Sequence, residues 1–308
     1  MKRTAGLLAV LLAAGPALTQ EQPKRPPITG IARVRLYSAD LHKSRQFYRN
    51  GLGLANSAAG CTGKATPCFA VNDHQQVELV QIAAGAPDNL LAEIAFATPD
   101  VAQMHSYLAA HNIRTSAITR DRDGVQHFEL LDPEKNHIAF LQLPSQHFFT
   151  AAPEQTSQHL IHAGFIVRDM AKQNRFYVDL LGFRLYWYGG FKDVAYTGEG
   201  SEKNIDWYEL QVPDGDNWIE YMLNIPANAK APERGIQNHF SFGVRKIDLA
   251  TKQLRDHNVA KLDGPEIGRD GKQGLDVYDP DGTRVEFMEF TPSKEPCCHP
   301  YAAAHPQP

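Results

Sequence analysis

The chain has 308 residues, 43% of them hydrophobic and 21% charged, with a formal charge of −4. That length allows two ordinary domains or one large one, and the composition is that of a soluble globular protein rather than a disordered chain. An acidic balance without a Lys/Arg cluster along the body offers no electrostatic footprint for nucleic acid and argues against it as a partner.

In chain order, the first segment has Lys2 and Arg3 ahead of an apolar run from Ala5 to Ala14, then Gly15, Pro16 and small residues at Ala17–Thr19. Basic, apolar and small-polar stretches in that order predict a signal peptide over 1–20, cleaved near residues 17–22. The run is short for a membrane span, so no membrane association is expected after cleavage and the mature protein is expected to be periplasmic or secreted. No cysteine follows the apolar run, which disfavours a lipoprotein. The Pro-rich QEQPKRPP reads as a flexible lead into the first strand. Export permits disulfides: Cys61 and Cys68, seven apart in one loop, could pair. Cys297 and Cys298 are adjacent and are expected to stay free or to pair elsewhere, within a flexible tail over 292–308.

Between these ends the chain repeats itself. Arg33–Leu54 matches His162–Phe183 at a constant offset of 129. Each copy reads as a strand, an Asp (Asp40 or Asp169) placed to cap a helix, a Phe-Tyr pair on that helix, and a glycine (Gly53 or Gly182) placed to stop it. A second kind of unit starts at Ala92–Ile113 and again at Asn238–Val259, with a strand followed by a helix of i, i+3, i+4 apolar spacing. Its last strand follows a tight turn, DPEKN at Asp132–Asn136 and DPDGT at Asp279–Thr283. The predicted organisation is an α+β chain of four βαβββ modules, about 30–83, 91–144, 160–224 and 237–291, with 144–159 separating the pairs.

Four residues on predicted strands stand out: His162 in LIHAGFIV, Glu220 in NWIEYML, His239 in NHFSFGV and Glu286 in TRVEFMEF. Each alone would read as an ordinary strand residue. Recurring at equivalent repeat positions, two imidazoles and two carboxylates form a mixed donor set for one divalent metal, Zn²⁺, Ni²⁺, Fe²⁺, Mn²⁺ or Co²⁺. Strand side chains alternate faces, so Trp218 and Met222 share the face of Glu220, Ser241 and Gly243 that of His239, Gly164 that of His162, and Met288 that of Glu286. Trp218, Met222, Ser241 and Met288 are the expected substrate-binding residues, and the small residues are expected to leave room for a ligand. Ordinary sheet core is the competing reading for each.

The FYxxxLG helix end, the DPDG turn and the His/Glu strand positions together resemble the vicinal oxygen chelate superfamily, which includes glyoxalase I, methylmalonyl-CoA epimerase, extradiol dioxygenases and bleomycin- or fosfomycin-resistance proteins. The resemblance covers roughly 30–291. It implies modules paired into two glyoxalase-like cupped sheets, 30–144 without a metal set and 160–291 with one. In the first half Arg33, Glu78, Glu93 and Ala139 stand where the second has His162, Glu220, His239 and Glu286. His127 lies off register; His137 aligns with Arg284 and leaves a weak second site open.

By the same resemblance the four-ligand set implies a lyase or isomerase that stabilises an enolate of a small oxygenated substrate, with Glu286 or Glu220 as the catalytic base. The alternative is an extradiol-type Fe²⁺ dioxygenase using His162, His239 and Glu286. Against it, Asp276 occupies the position of that group's Tyr, and 264–275 contains no His. A non-catalytic ligand-binding member is the third reading. Glutathione-linked chemistry suits an exported protein poorly, and no GxSxG or phosphate-loop motif competes. The expected partner is a small-molecule substrate, and a homodimer is a further expectation.

Overall fold

The computed structural model describes residues 23–63, 66–82, 89–145, 147–193, 196–198, 200–230 and 235–308. The expected signal segment and its cleavage region lie outside the described residues. The four modules follow the expected order. The first is β1 (Gly30–Ser38), α1 (Leu41–Gln46), β2 (Ala55–Ser57), β3 (Cys68–Ala70) and β4 (Gln76–Gln81). The second is β5 (Leu91–Ala97), α2 (Val101–Ala110), β6 (Thr119–Arg120), β7 (Gln126–Leu131) and β8 (His137–Gln142). The third is β9 (His159–Ile166), α3 (Met170–Asn174), β10 (Arg184–Gly189), β11 (Trp207–Gln211) and β12 (Trp218–Met222). The fourth is β13 (His239–Val244), α4 (Ile247–Asp256), β14 (Leu262–Ile267), β15 (Gln273–Tyr278) and β16 (Arg284–Glu289).

The helix signals read from the repeat act as expected. The Asp40 carboxylate accepts from the backbone N–H of His42 and Lys43, and the Asp169 carboxylate from that of Lys172. Gly53 and Gly182 take φ of 76° and 79°, left-handed values that end each helix at little cost only for glycine.

Strand order is β2-β3-β4-β1-β5-β8-β7-β6 in one sheet and β10-β11-β12-β9-β13-β16-β15-β14 in the other. The first strands of two modules lie antiparallel at the centre of each sheet, flanked by the last strand of each module in parallel pairing. Both sheets are therefore built as two βαβββ modules around one cup. The registers support every equivalence drawn from sequence. Arg35 pairs with Glu78 and Glu93 where Gly164 pairs with Glu220 and His239; Ala95 pairs with Ala139 where Ser241 pairs with Glu286.

The apolar faces opposite the cups share one hydrophobic core that draws on both halves. A reciprocal polar lock joins them. Tyr48 of the first module donates to Asp279 of the fourth at 3.1 Å, and Tyr177 of the third donates to Asp132 of the second at 3.2 Å. Each Asp also ties its own turn, accepting at 2.9 Å from Asp281 N and Thr283 N in one case and from Glu134 N and Asn136 N in the other. Burial, against the bond from Thr283 N, pushes the Asp279 carboxyl up to about 6.

The chain beyond the last strand of each half turns back into that half's cup. Leu143 and Phe148 pack in the first; Cys297, Tyr301 and Ala303 pack in the second. The segment 292–308, expected as a flexible tail, is thus an ordered part of the C-terminal half. Tyr301 packs on Tyr186 at 4.8 Å between ring centroids, and Ala302 N bonds the Tyr186 carbonyl. The sequence reading missed this because a Pro- and Ala-rich composition carries no periodicity, while two aromatic anchors suffice to dock it. Cys61 pairs with Cys68 as the spacing suggested. Cys297 and Cys298 pair with each other, contrary to expectation, with Cys298 at φ 69° in a tight turn.

Candidate metal centre

His162, Glu220, His239 and Glu286 stand on β9, β12, β13 and β16, the four central strands of the C-terminal sheet. His162 Nε2 is 3.1 Å from His239 Nε2 and 3.1 Å from Glu286 Oε2. Glu220 Oε2 is 3.2 Å from His239 Nε2 and 3.9 Å from His162 Nε2, and His239 Nε2 is 4.0 Å from Glu286 Oε2. His162, His239 and Glu286 form one such group, their ligand atoms all within 4.8 Å of one another, and Glu220 stands as close to the two imidazoles as Glu286 does. Metal–ligand bonds of about 2.0–2.2 Å put neighbouring donors roughly 3–3.5 Å apart, so the spacing fits a shared cation.

Local structure aims these groups. His239 Nδ1–H donates to the Gln237 carbonyl at 3.1 Å, which leaves the Nε2 lone pair facing the other three. His162 lies against Trp218, ring centroids 4.9 Å apart. Glu286 Oε2 is buried and makes no hydrogen bond of good geometry, although His162 Nε2 is close. A buried carboxylate oxygen without a hydrogen-bond partner, beside two imidazole nitrogens, is a donor set that suits a cation. Burial works to raise the Glu286 carboxyl, but His162 close beside it, with the charges of Arg284 and His239, holds it well below the usual range. Burial and the Arg284 charge push His239 down, towards the neutral imidazole a metal needs. One contact opposes the fit. Arg284 donates to His239 Nε2 at 2.8 Å and must turn towards Asp276, 3.4 Å from its other nitrogen, before that lone pair is free.

A cavity of about 410 Å³ opens on the site. Among the described residues it is lined by seven carboxylates (Glu209, Glu220, Asp263, Glu266, Asp270, Asp276, Glu286) and three cations (Arg269, Lys272, Arg284), an excess of four negative charges if all are ionised. Such a surplus favours a divalent cation. Burial and the Glu286 charge, against Arg284, push Asp276 up to about 6. Burial, then the charge of Glu220, raises Glu209 far above the usual carboxylate range.

Of the expected substrate-binding residues, Met288 lines this cavity while Trp218, Met222 and Ser241 do not. Trp218 is covered by Tyr186 and Lys272, and Ser241 lies in register between His162 and Glu286, fully buried. Nor do the small residues beside the histidines leave room for a ligand. A Cβ on Gly164 would stand 2.1 Å from His239 Cε1, and one on Gly243 2.4 Å from Phe290 Cε1, so that space is already used by protein rings. Sequence reading missed Glu209, Asp270 and Lys272. The PDGD hairpin between β11 and β12 could have revealed Glu209, which it sets directly opposite Glu220. No comparable signal pointed to Lys272.

The N-terminal cup replaces the donor set with a closed ion network. Arg33 bonds Glu93 at 2.6 Å, and Arg35 reaches Glu78 and Glu93 at 3.0 Å each. Two guanidinium groups thus stand among the carboxylates. His137 is solvent-exposed at the start of β8, and His127 is half-buried against Thr119.

Comparison with known proteins follows the same division. A model of the family described as Glyoxalase/Bleomycin resistance protein/Dioxygenase superfamily matches residues 30–140 and 159–287. A lactoylglutathione lyase of Haemophilus influenzae is 28% identical over 138 residues, 44% of this chain and 95% of that protein. Homoprotocatechuate 2,3-dioxygenase of Brevibacterium fuscum, solved in an anaerobic complex with 3,4-dihydroxyphenylacetate, superposes with a TM-score of 0.63 at 20% identity, covering 87% of this chain and 82% of that one. The 2,3-dioxygenase LapB from Pseudomonas sp. KL28 does so with a TM-score of 0.64 at 17% identity, covering 92% and 96%. At those identities the two dioxygenases share this chain's fold, and the likeness extends no further.

Proposed function

This chain belongs to the glyoxalase/bleomycin resistance protein/dioxygenase superfamily, and from that premise we propose that its C-terminal half is a divalent-metal site working as a lyase or isomerase on a small oxygenated substrate. The observation that carries this reading is the convergence of four protein donors, His162, His239, Glu220 and Glu286, the last two of which line an acidic cavity. When bound there, Zn²⁺, Ni²⁺, Fe²⁺, Mn²⁺ or Co²⁺ would supply Lewis-acid polarisation of two neighbouring substrate oxygens. Trp218 and the Gln237 carbonyl hold the two imidazoles in orientation. Glu220 and Glu286 both line the cavity and are the candidate bases for a proton next to a substrate carbonyl. The two imidazoles and Glu286 already form a trio of donors, so Glu220 is the carboxylate assigned here to leave the set and move that proton.

The same trio supports a second reading, a two-His-one-carboxylate dioxygenase site in which Glu220 yields its place to substrate and O₂. One experiment separates them: anaerobic loading with Fe²⁺, Ni²⁺, Zn²⁺ or Mn²⁺, followed by a screen of catechols, 2-oxoacids and hemithioacetals. The lyase or isomerase reading expects no oxygen consumption, and activity retained with Zn²⁺ or Ni²⁺. Glu220→Gln should then weaken metal binding and turnover together by about tenfold or more, since even residues behind the ligands contribute roughly that much. Fe²⁺-specific, O₂-dependent ring cleavage that tolerates Glu220→Gln would reverse the assignment.

We also propose that the protein is exported. The Lys2-Arg3 start and the Ala5–Ala14 run support this, as does the pairing of all four cysteines, which suits an oxidising compartment. No helix among the described residues is long and apolar enough to cross a membrane. N-terminal sequencing of protein from its native host should begin near residues 17–22. An intact Met1 on cytoplasmic protein refutes the claim.

A further inference from the structure

We propose that Lys272 is the receptor for a carboxylate or comparable oxyanion of the substrate, carried beyond the oxygen pair at the metal set, and that the C-terminal segment 297–305 positions it; this rests on the metal-site reading above. Lys272 immediately precedes β15, is 1% exposed and lines the cavity together with Glu209, Glu220 and Glu286. Aromatic rings enclose its ammonium. Nζ stands 4.3 Å from the Trp218 ring centroid, 5.1 Å from that of Tyr186 and 5.3 Å from that of Tyr301. Ring faces attract a cation but accept no conventional hydrogen bond from it.

An ammonium carries three N–H donors. Among the described residues the one acceptor for Lys272 Nζ is neutral, the Tyr186 hydroxyl at 3.0 Å. Among the described residues, the other two cations on the cavity wall have carboxylate partners, Arg284 with Asp276 and Arg269 with Asp193. Lys272 forms no such ion pair among them, although Asp270, Glu209, Glu286 and Glu220 act on it through space. A buried ammonium without a counter-charge in contact is costly, and a ligand oxyanion on the cavity side would supply the missing partner.

The C-terminal segment builds the box. Tyr301 packs its ring on Tyr186 and anchors its hydroxyl at 3.0 Å to the Asp270 carboxylate. His305 Nδ1 lies 2.8 Å from the Tyr186 hydroxyl. Burial and the Lys272 charge push the His305 ring down to about 4, so at neutral pH the ring is neutral and, as its Nε2–H tautomer, accepts at Nδ1 from the Tyr186 hydroxyl. The Lys272 ammonium, which has donors only, donates to the Tyr186 oxygen and leaves the Tyr186 O–H to point at His305. The tail, on this view, is part of the specificity apparatus.

The test uses the full chain loaded with Zn²⁺ and three probes that share one chelating head: acetohydroxamate, and the monohydroxamates of malonate and succinate. The two acids differ in tether length, so the carboxylate reaches two depths. Calorimetric titration should show at least one acid bound about tenfold or more tighter than acetohydroxamate, the range of a charge-assisted pair. Lys272→Met should abolish that preference and leave acetohydroxamate binding unchanged. Lys272→Arg should retain part of it, and Tyr301→Ala, which opens the box, should narrow it. If Lys272→Met does not fold, Lys272→Gln gives the same comparison. A wild-type chain without preference for either acid, or a variant that keeps the preference, overturns the proposal. A chain that binds neither Zn²⁺ nor acetohydroxamate overturns the metal reading and this proposal with it, a result distinct from loss of the preference alone.

Discussion

A chain carrying both His162→Ala and His239→Ala should purify folded and without stoichiometric divalent metal. The two imidazoles supply both nitrogen donors of the set, and their Nε2 atoms are 3.1 Å apart. Residues that only orient ligands typically account for 10–100-fold in affinity, so loss of two ligands should exceed a hundredfold. The fold should survive because both rings face the cup, while their neighbours Ala163 and Phe240 carry this part of the shared core. Elemental analysis of the purified protein reads the first outcome, and thermal denaturation the second. A control pair, His127→Ala with His137→Ala, should leave metal content unchanged, since those rings lie in the other cup. Stoichiometric metal in the His162/His239 double variant sinks the site assignment.

Adding one methyl group at Gly164 should damage the centre about as severely as deleting a ligand. Gly164 pairs across β9 with both Glu220 and His239. A Cβ there would lie 2.1 Å from His239 Cε1, 2.6 Å from Nδ1 and 2.9 Å from Nε2. The ring has no free direction to retreat, being fully buried and tied to the Gln237 carbonyl. Either the imidazole leaves its orientation or the two central strands separate, and overpacking of this kind costs about 1–3 kcal/mol. Gly164→Ala should therefore lower metal affinity at least tenfold with a modest fall in unfolding midpoint. Gly182→Ala, strained only through its φ of 79°, should lower the midpoint without touching metal affinity. Equal metal binding by wild type and Gly164→Ala would show that His239 does not ligate in this orientation.

Much of this arrangement was legible in the sequence, for identifiable reasons. Strand alternation and a repeat at fixed offset were enough to place His162, Glu220, His239 and Glu286 on one face, because neighbouring central strands leave little freedom of register once one face is buried. The same logic paired Arg33, Glu78, Glu93 and Ala139 with them. What composition could not show was three-dimensional occupancy. Gly164 and Gly243 looked like space for a ligand, whereas the room is filled by His239 from the neighbouring strand and by Phe290, which follows β16. Trp218 looked like cavity wall until Tyr186 and the returning tail covered it. Lys272 gave no local signal at all, since its environment is assembled from β10, β12 and the last dozen residues.

The Tyr–Asp lock reaches beyond stability. Each half owns one tyrosine and one aspartate, yet Tyr48 finds Asp279 and Tyr177 finds Asp132, so neither half can close the contact on itself. A separated half would carry a donor and an acceptor that never meet. Two copies of it, placed as the halves are here, would satisfy both at once. The chain is in this sense a dimer written on one thread, and the lactoylglutathione lyase it resembles is matched along 95% of its own length by 138 residues. Tethering removes the symmetry that binds two identical subunits to identical duties. Cohesion resides in the lock and the common core, so one copy was at liberty to exchange its ligand positions for arginine and carboxylate pairs. The other carries the four-donor set proposed as the metal centre, and its returning C-terminus could specialise a single cup without remodelling two.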